Sequence, residues 1–409
     1  MTILAPQSQG KPRKDKATMQ PPSSADLSMF VPETLRKLRD HQTEIPRIAK
    51  DPQIVSRIDE AVRAIPTSHA LRLGDARDLS EIPDDSVHLV VTSPPYWTLK
   101  EYRKADGQLG YVTDYEEFLA QLDKAWSHCL RVLVPGGRLT IVVGDVCLSR
   151  RQNGGRHTVV PLHASIQEHC RGIGFDNLAP IIWYKIANAA YEVENRGGFL
   201  GKPFEPNAVI KNDIEFILMQ RKPGGYRSPS LAARILSVIS GENHQRWFQQ
   251  IWGDVPGAST RDHPAPYPEE LAERLVRMFS FVGDTVLDPF MGTGTTTVAA
   301  MKRGRNSIGV EVDAHYFRSA RRRIEMESSD LFSTASIFVV QPGRAQEYGA
   351  SKASRGGNQT LLDGAGKARG GAVREGGKRS GVAESSDRRR ANGRPDQSGP
   401  RPPNRGRLR

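Results

Sequence analysis

Apolar residues along the middle of this chain gather in short continuous runs, separated by segments of helical spacing. Ser86-Val-His-Leu-Val-Val-Thr92, Arg138-Leu-Thr-Ile-Val-Val143, Ala179-Pro-Ile-Ile-Trp-Tyr-Lys185 and Ser307-Ile-Gly-Val-Glu311 read as strands, as do 70–73 and 284–288. Runs without polar alternation suit strands buried on both faces of a parallel sheet. Between them, Phe118, Leu122, Trp126, Leu130 and Leu133 recur at helical spacing, with a stop expected at Pro135-Gly136-Gly137. Further helices are expected from Pro161 to Cys170, over 294–303 and from Ala314 to Glu327. Pro268-Glu269-Glu270 opens another, because proline and acids favour a first helical turn. Strand alternating with helix predicts an α/β fold with a mostly parallel sheet. The alternation lapses between Ile186 and His263. Asp213 to Gln220 is a strand there, but Gly197-Gly198, Pro203, Pro206 and Gly224-Gly225 make its flanks irregular, as in an inserted recognition segment.

Charge sharpens this division. The chain carries a formal net charge of +12. Residues 341–409 hold 16 Lys/Arg against 6 Asp/Glu, and residues 1–30 hold 4 against 2, so the remaining 38 of each sign cancel. The basic character lies in the tails, and any nucleic-acid groove in the body must come from local patches. Residues 1–30 are rich in Pro, Ser, Gln and Lys, and 331–409 in Gly, Arg and Ser; both are expected to be disordered. No apolar run is long enough to span a membrane, and Met1-Thr-Ile-Leu-Ala-Pro6 lacks the apolar stretch of a signal peptide. Cys129, Cys147 and Cys170 form neither a disulfide framework nor a metal-ligand spacing. A cytoplasmic protein without a membrane partner or a metal is expected.

Two stretches carry chemistry. Val91-Thr-Ser-Pro-Pro-Tyr-Trp97 follows a buried strand directly. Its prolines cannot continue a ladder, so they hold Ser93, an acceptor, and Tyr96, an aromatic face, at the strand's carboxyl end. That arrangement suits a planar molecule bearing an amino group. Val286-Leu-Asp-Pro-Phe-Met-Gly-Thr-Gly-Thr-Thr296 links a strand to a helix through glycines. It lacks the lysine of a nucleotide P-loop, and Glu311 at the tip of the next strand is placed to bind ribose hydroxyls. Asp288 is placed for a cationic cofactor.

With these motifs the chain resembles the S-adenosylmethionine-dependent amino-methylating DNA methyltransferases, in the arrangement where the catalytic motif precedes the cofactor loop. The resemblance covers about residues 70 to 325 and rests on Thr92-Ser-Pro-Pro-Tyr96, Asp288-Pro-Phe-Met-Gly-Thr-Gly294, Glu311 and His263-Pro-Ala-Pro-Tyr-Pro268. It implies a Rossmann-like methyltransferase fold with an inserted target-recognition region. The segments would be a disordered start (1–30), a helical segment (31–69), a catalytic half (70–185), a recognition region (186–262), a cofactor-binding half (263–330) and the basic tail (331–409). Asp288, Phe290, Gly292, Gly294 and Thr295 would shape the S-adenosylmethionine pocket, Glu311 would take the ribose, and Asp75 would lie nearby. Ser93, Pro94, Pro95 and Tyr96 would form the catalytic pocket.

The implied reaction is transfer of a methyl group to an exocyclic amino group of a base flipped out of duplex DNA. In this family Ser-Pro-Pro-Tyr is associated with cytosine N4 and Asp-Pro-Pro-Tyr mostly with adenine N6, so cytosine is favoured over adenine. A C5-cytosine enzyme is disfavoured for want of a suitably placed cysteine. An RNA or protein methyltransferase and a catalytically dead DNA-binding protein are the remoter readings. Trp97, Lys185, Arg196, Lys202 and Arg227 are candidate DNA contacts, with Lys211, Arg221, Lys222, Arg234 and Arg246 as further basic positions. Such an enzyme works either beside a restriction endonuclease acting on the same site or alone.

Overall fold

The structure, a computed structural model, describes residues 26–38, 41–98, 102–151, 153–185, 212–258, 266–329, 334–341 and 344–348, all within the unit Met1–Lys352. Its frame is one ten-stranded sheet. Strands β1 (Ser68–Leu73), β2 (Val87–Thr92) and β3 (Leu133–Val143) belong to it, with β4 (Val146–Leu148) and β5 (Thr158–Val160) forming a separate hairpin. The sheet continues with β6 (Asp176–Tyr184), β7 (Ile214–Arg221), β8 (Ile251–Trp252), β9 (Thr285–Asp288), β10 (Asn306–Glu311), β11 (Ser336–Gln341) and β12 (Arg344–Tyr348). Its order is β12-β11-β1-β10-β9-β2-β3-β7-β6-β8. The six strands from β11 to β3 are mutually parallel, and β7 is antiparallel to both its neighbours.

Alternation of side chains divides the core into two layers. On one face Val90, Leu139, Ile141, Leu218 and Leu287 pack beneath α3 (Tyr115–Val132) and α4 (Leu162–Ile173), through Phe118, Leu122, Trp126 and Ile166. On the other, Leu89, Val91, Val142, Ile217 and Val286 meet α7 (Glu269–Phe279) and α8 (Thr295–Lys302), through Leu271, Leu275 and Ala299. The N-terminal helices α1 (His41–Ile48) and α2 (Pro52–Arg63) pack with α5 (Leu231–Leu236) through Ile48, Ile58, Val62 and Ile235, next to α6 (Gly241–Trp247). Helix α9 (Ala314–Ser328) covers Leu71 and Val298 with Phe317 and Ile324. No helix among the described residues is long and apolar enough to cross a membrane.

Three expectations change. Helix α3 ends at Val132 and β3 begins at once, with Pro135-Gly136-Gly137 inside the strand. The pairing of β2 with β3 shifts register there, and Gly136 takes φ +76, a conformation open to glycine. The segment 186–262 is not a single insertion, since β7 lies between β3 and β6 in the main sheet. The tail does not begin at 331. Strand β11 pairs in parallel with β1 and buries Ile337 and Val339 against Leu71, which completes a core the shorter sheet would leave open. Of the N-terminal segment, Leu27–Phe30 forms a short 3-10 turn capped by Asp26. Residues 1–25 and 349–409 lie outside the described residues.

Candidate active site

Parallel pairing brings the strand ends together. Strand β1 runs into Gly74-Asp75, β2 into Ser93, β9 ends at Asp288 and β10 at Glu311, all at one edge of the sheet. Strand β7 runs the other way, so its beginning, Glu215, reaches the same edge. Ligands of open α/β sheets bind outside the carboxyl ends of the strands.

The prolines after Ser93 end the β2 ladder. Ser93 Oγ lies 3.3 Å from the Tyr96 hydroxyl, to which it donates. That hydroxyl lies 3.2 Å from Glu215 Oε2 and 3.4 Å from the Val142 carbonyl oxygen. Lys185 Nζ closes the chain at 2.7 Å from Glu215 Oε1. Tyr96 is buried, and its backbone N–H donates to the Tyr102 hydroxyl at 3.2 Å. Burial, then the neighbouring Glu215, pushes the Tyr96 phenol well above its usual pKa. Tyr96 is therefore a protonated donor.

The glycine loop forms the other wall. Gly292, at φ +52, donates its N–H to Glu311 Oε2 at 2.8 Å, and the Asp313 N–H reaches Oε1 at 2.8 Å. Burial pushes the Glu311 carboxyl up to about 7, against the pull of these two backbone donors. Each oxygen keeps acceptor capacity beyond its single N–H. Asp75, Ser93, Pro94, Pro95, Phe290, Gly292 and Glu311 line one pocket, closed by Tyr102, Leu109 and Tyr316. Both motifs thus meet in a single cleft. Asp75 is held there by Arg77, whose Nη2 lies 2.5 Å from Oδ2.

Other expected residues fall elsewhere. Asp288 does not line the pocket, and its carboxylate faces inward. Thr92 Oγ1 (2.7 Å), the Phe290 N–H (3.1 Å) and the Tyr267 hydroxyl (3.0 Å) all donate to it. It is buried and ties the Ser93 strand to the cofactor loop from behind the pocket. Gly294, at φ +82, packs against Ile324 and Ala320, where a Cβ would lie 3.0 Å from Ile324 Cδ1. It shapes the loop from behind, as does Thr295, whose hydroxyl accepts from Arg323 Nη1 at 3.0 Å.

Among the candidate DNA contacts, Trp97 packs edge-on against Tyr115 at 5.0 Å between ring centroids. Lys185 is committed to Glu215. Arg227 forms a two-pronged pair with Asp284 at 2.6 Å on each arm, at the start of β9 and so at the opposite edge of the sheet. Arg221 pairs with Asp176, Lys222 with Asp85 and Arg246 with Asp254. Each of these cations is paired with an acid of the fold. Arg196, Lys202, Lys211 and His263 lie outside the described residues. Glu215 was missed by sequence reasoning, although an acid at the head of an otherwise apolar strand is a usable signal. Tyr102 carried no such signal, and Tyr267 lies in the His263–Pro268 motif without its contact to Asp288 being legible there. No group of three or more His, Cys, Asp or Glu residues arranged to hold a metal occurs among the described residues.

A mostly parallel sheet with an acid at one strand tip, a glycine loop at the next and Ser-Pro-Pro-Tyr at a third defines the class of Rossmann-like methyltransferases. The family model for DNA methylases of the N6/N4 type matches residues 87–322, and the chain belongs to that family. It is similar to the Type II methyltransferase M.MjaI of Methanocaldococcus jannaschii, 39% identical over 61% of this chain and 88% of that protein. The Type II methyltransferase M.MthZI of Methanothermobacter thermautotrophicus is 34% identical over 67% of this chain and 80% of its own length. Among solved structures, TTHA0409 of Thermus thermophilus, complexed with S-adenosyl-L-methionine, is similar with a TM-score of 0.56. It is 51% identical and covers 68% of this chain and 99% of its own.

Proposed function

We propose that this DNA methyltransferase transfers a methyl group from S-adenosylmethionine to the N4 amino group of cytosine in duplex DNA. The observation that carries the reading is the shared cleft, in which Ser93, Pro94 and Pro95 face Phe290, Gly292 and Glu311. The similarity to TTHA0409, itself complexed with S-adenosyl-L-methionine, supports the choice of cofactor.

The residues present fit that group. The Glu311 carboxylate has acceptor capacity left for two vicinal ribose hydroxyls, and Gly292 lets them approach because it carries no side chain. Phe290 offers an apolar wall, and Asp75 a second acceptor at the neighbouring strand tip. The bound cofactor supplies an electrophilic methyl on a sulfonium.

The protein's part is positioning. An exocyclic amino group is a poor nucleophile while its lone pair is conjugated with the ring. Ser93 Oγ and the Pro94 carbonyl accept its two hydrogens and favour a pyramidal nitrogen. Tyr96 is the residue assigned to fix the plane of the base; it is buried beside Ser93 and does not line the pocket itself. Direct transfer of that methyl would form the nitrogen–carbon bond as the carbon–sulfur bond breaks, with one proton lost from the amino nitrogen to solvent. Holding the reacting atoms in line is the main catalytic contribution. The base must leave the helix to reach the cleft. Segment 186–211 is the candidate for reading the flanking sequence, with Arg196 and Lys202 on phosphates. The enzyme acts either beside a cognate endonuclease or alone.

The test is nucleoside analysis of unmethylated DNA after incubation with methyl-labelled cofactor. Label in N4-methylcytosine is expected. Label in N6-methyladenine would show that Ser93 does not select the base.

A further inference from the structure

Glu215 belongs to no motif singled out in the sequence, yet it ends the hydrogen-bond chain that starts at Ser93. An ion-paired carboxylate accepts hydrogen bonds and donates none. Lys185 Nζ donates to Glu215 at 2.7 Å, and the Tyr96 hydroxyl, facing Glu215 Oε2 at 3.2 Å and the Val142 carbonyl at 3.4 Å, meets only acceptors on that side. The Tyr96 oxygen is then an acceptor for Ser93, which spends its one proton there. What remains on Ser93 Oγ is acceptor capacity, and Ser93 lines the pocket.

We infer that Glu215, paired with Lys185, is a positioning residue that sets the direction of the Glu215–Tyr96–Ser93 chain and so makes Ser93 an acceptor for the substrate amino group. The inference rests on the catalytic reading of Ser93 to Tyr96. Its distinctive content is polarity. Glu215→Gln keeps the size of the side chain but introduces N–H donors, which allow the Tyr96 hydroxyl to turn around. Ser93 can then point its proton at the amino nitrogen, where it competes for the lone pair.

Single-turnover methylation of duplex DNA by the full-length protein tests this, with cofactor affinity and the melting temperature measured alongside. Glu215→Gln is expected to slow transfer by about ten-fold or more, the scale of a hydrogen bond to a charged group, with cofactor affinity unchanged. Tyr96→Phe breaks the chain at its middle, and adding Glu215→Gln to it is expected to cause no further loss. Glu215→Asp keeps an acceptor-only group and is expected to retain more activity than Glu215→Gln. Independent, multiplying losses in the double variant would overturn the inference. So would an unimpaired Glu215→Gln, a Glu215→Asp slower than Glu215→Gln, or rate losses that merely follow melting temperature. Tyr96→Ala at the wild-type rate would instead sink the catalytic reading itself.

Discussion

At the scale of single residues, burial decides what each carboxylate can do. Asp288 and Glu311 end adjacent strands, yet only Glu311 lines the cleft. Asp288 takes the hydroxyls of Thr92 and Tyr267 and the Phe290 N–H and is buried away from the pocket, whereas Glu311 takes two backbone N–H groups and lines it. With its carboxyl near 7, Glu311 is mostly protonated below that pH and ionised above it. Ribose hydroxyls bind the ionised form better, so cofactor affinity is expected to rise with pH between about 6 and 8. Glu311→Gln should bind at least about ten-fold more weakly at pH 8 and lose that dependence; titration calorimetry across pH checks both. The sign for stability is opposite. The ligand-free fold holds the Glu311 proton to higher pH than the unfolded chain does, so this group's contribution falls as pH rises from 4.5 to about 7. Arg227 offers a contrasting prediction. Its partner Asp284 is buried, so Arg227→Ala should lower stability by about 3 kcal/mol and leave the KM for DNA unchanged. A raised KM with normal stability would restore Arg227 as a DNA contact.

At the scale of elements, two strands carry more than their sequence suggests. Strand β7 closes one flank of the parallel set and delivers Glu215, since antiparallel pairing brings its first residues to the edge where parallel strands end. Strand β11 closes the other flank, and β12 pairs with it. A chain ending at residue 348 should therefore melt like the full-length protein. One ending at residue 330 loses the burial of Ile337 and Val339, worth about 1.5–3 kcal/mol each, and bares the β1 edge. Equal melting temperatures for the two truncations would contradict the role of β11. His69, at the other end of β1, adds a pH signature. Its ring is buried between Thr67 and Ser307, and burial lowers its pKa to about 3. The unfolded chain binds that proton first, so stability is lost as pH falls from about 6.5 toward 3. His69→Gln should flatten that slope in acid denaturation.

At the scale of the whole molecule, catalytic and basic parts separate. The stretch 353–409 holds 14 Lys/Arg against 5 Asp/Glu. Every chemical motif lies upstream, so removing this stretch should leave site-specific methylation intact; a folded but inactive truncate would refute that. The parallel α/β class, the two strand-end motifs and the acid at Glu311 were legible in the sequence. Each depends on local pattern, namely apolar runs, proline after a strand and glycine before a helix. The duties of Asp288, Lys185, Arg227 and Glu215 were not legible, because each is set by a partner far along the chain: Thr92, Glu215, Asp284 and Tyr96. The sequence by itself thus determined which elements form and which side chains could do amino-group chemistry. Only the tertiary structure decided which charges face the cleft and which are spent inside the fold, because strand order and direction, not spacing along the chain, choose the neighbours of a buried polar group.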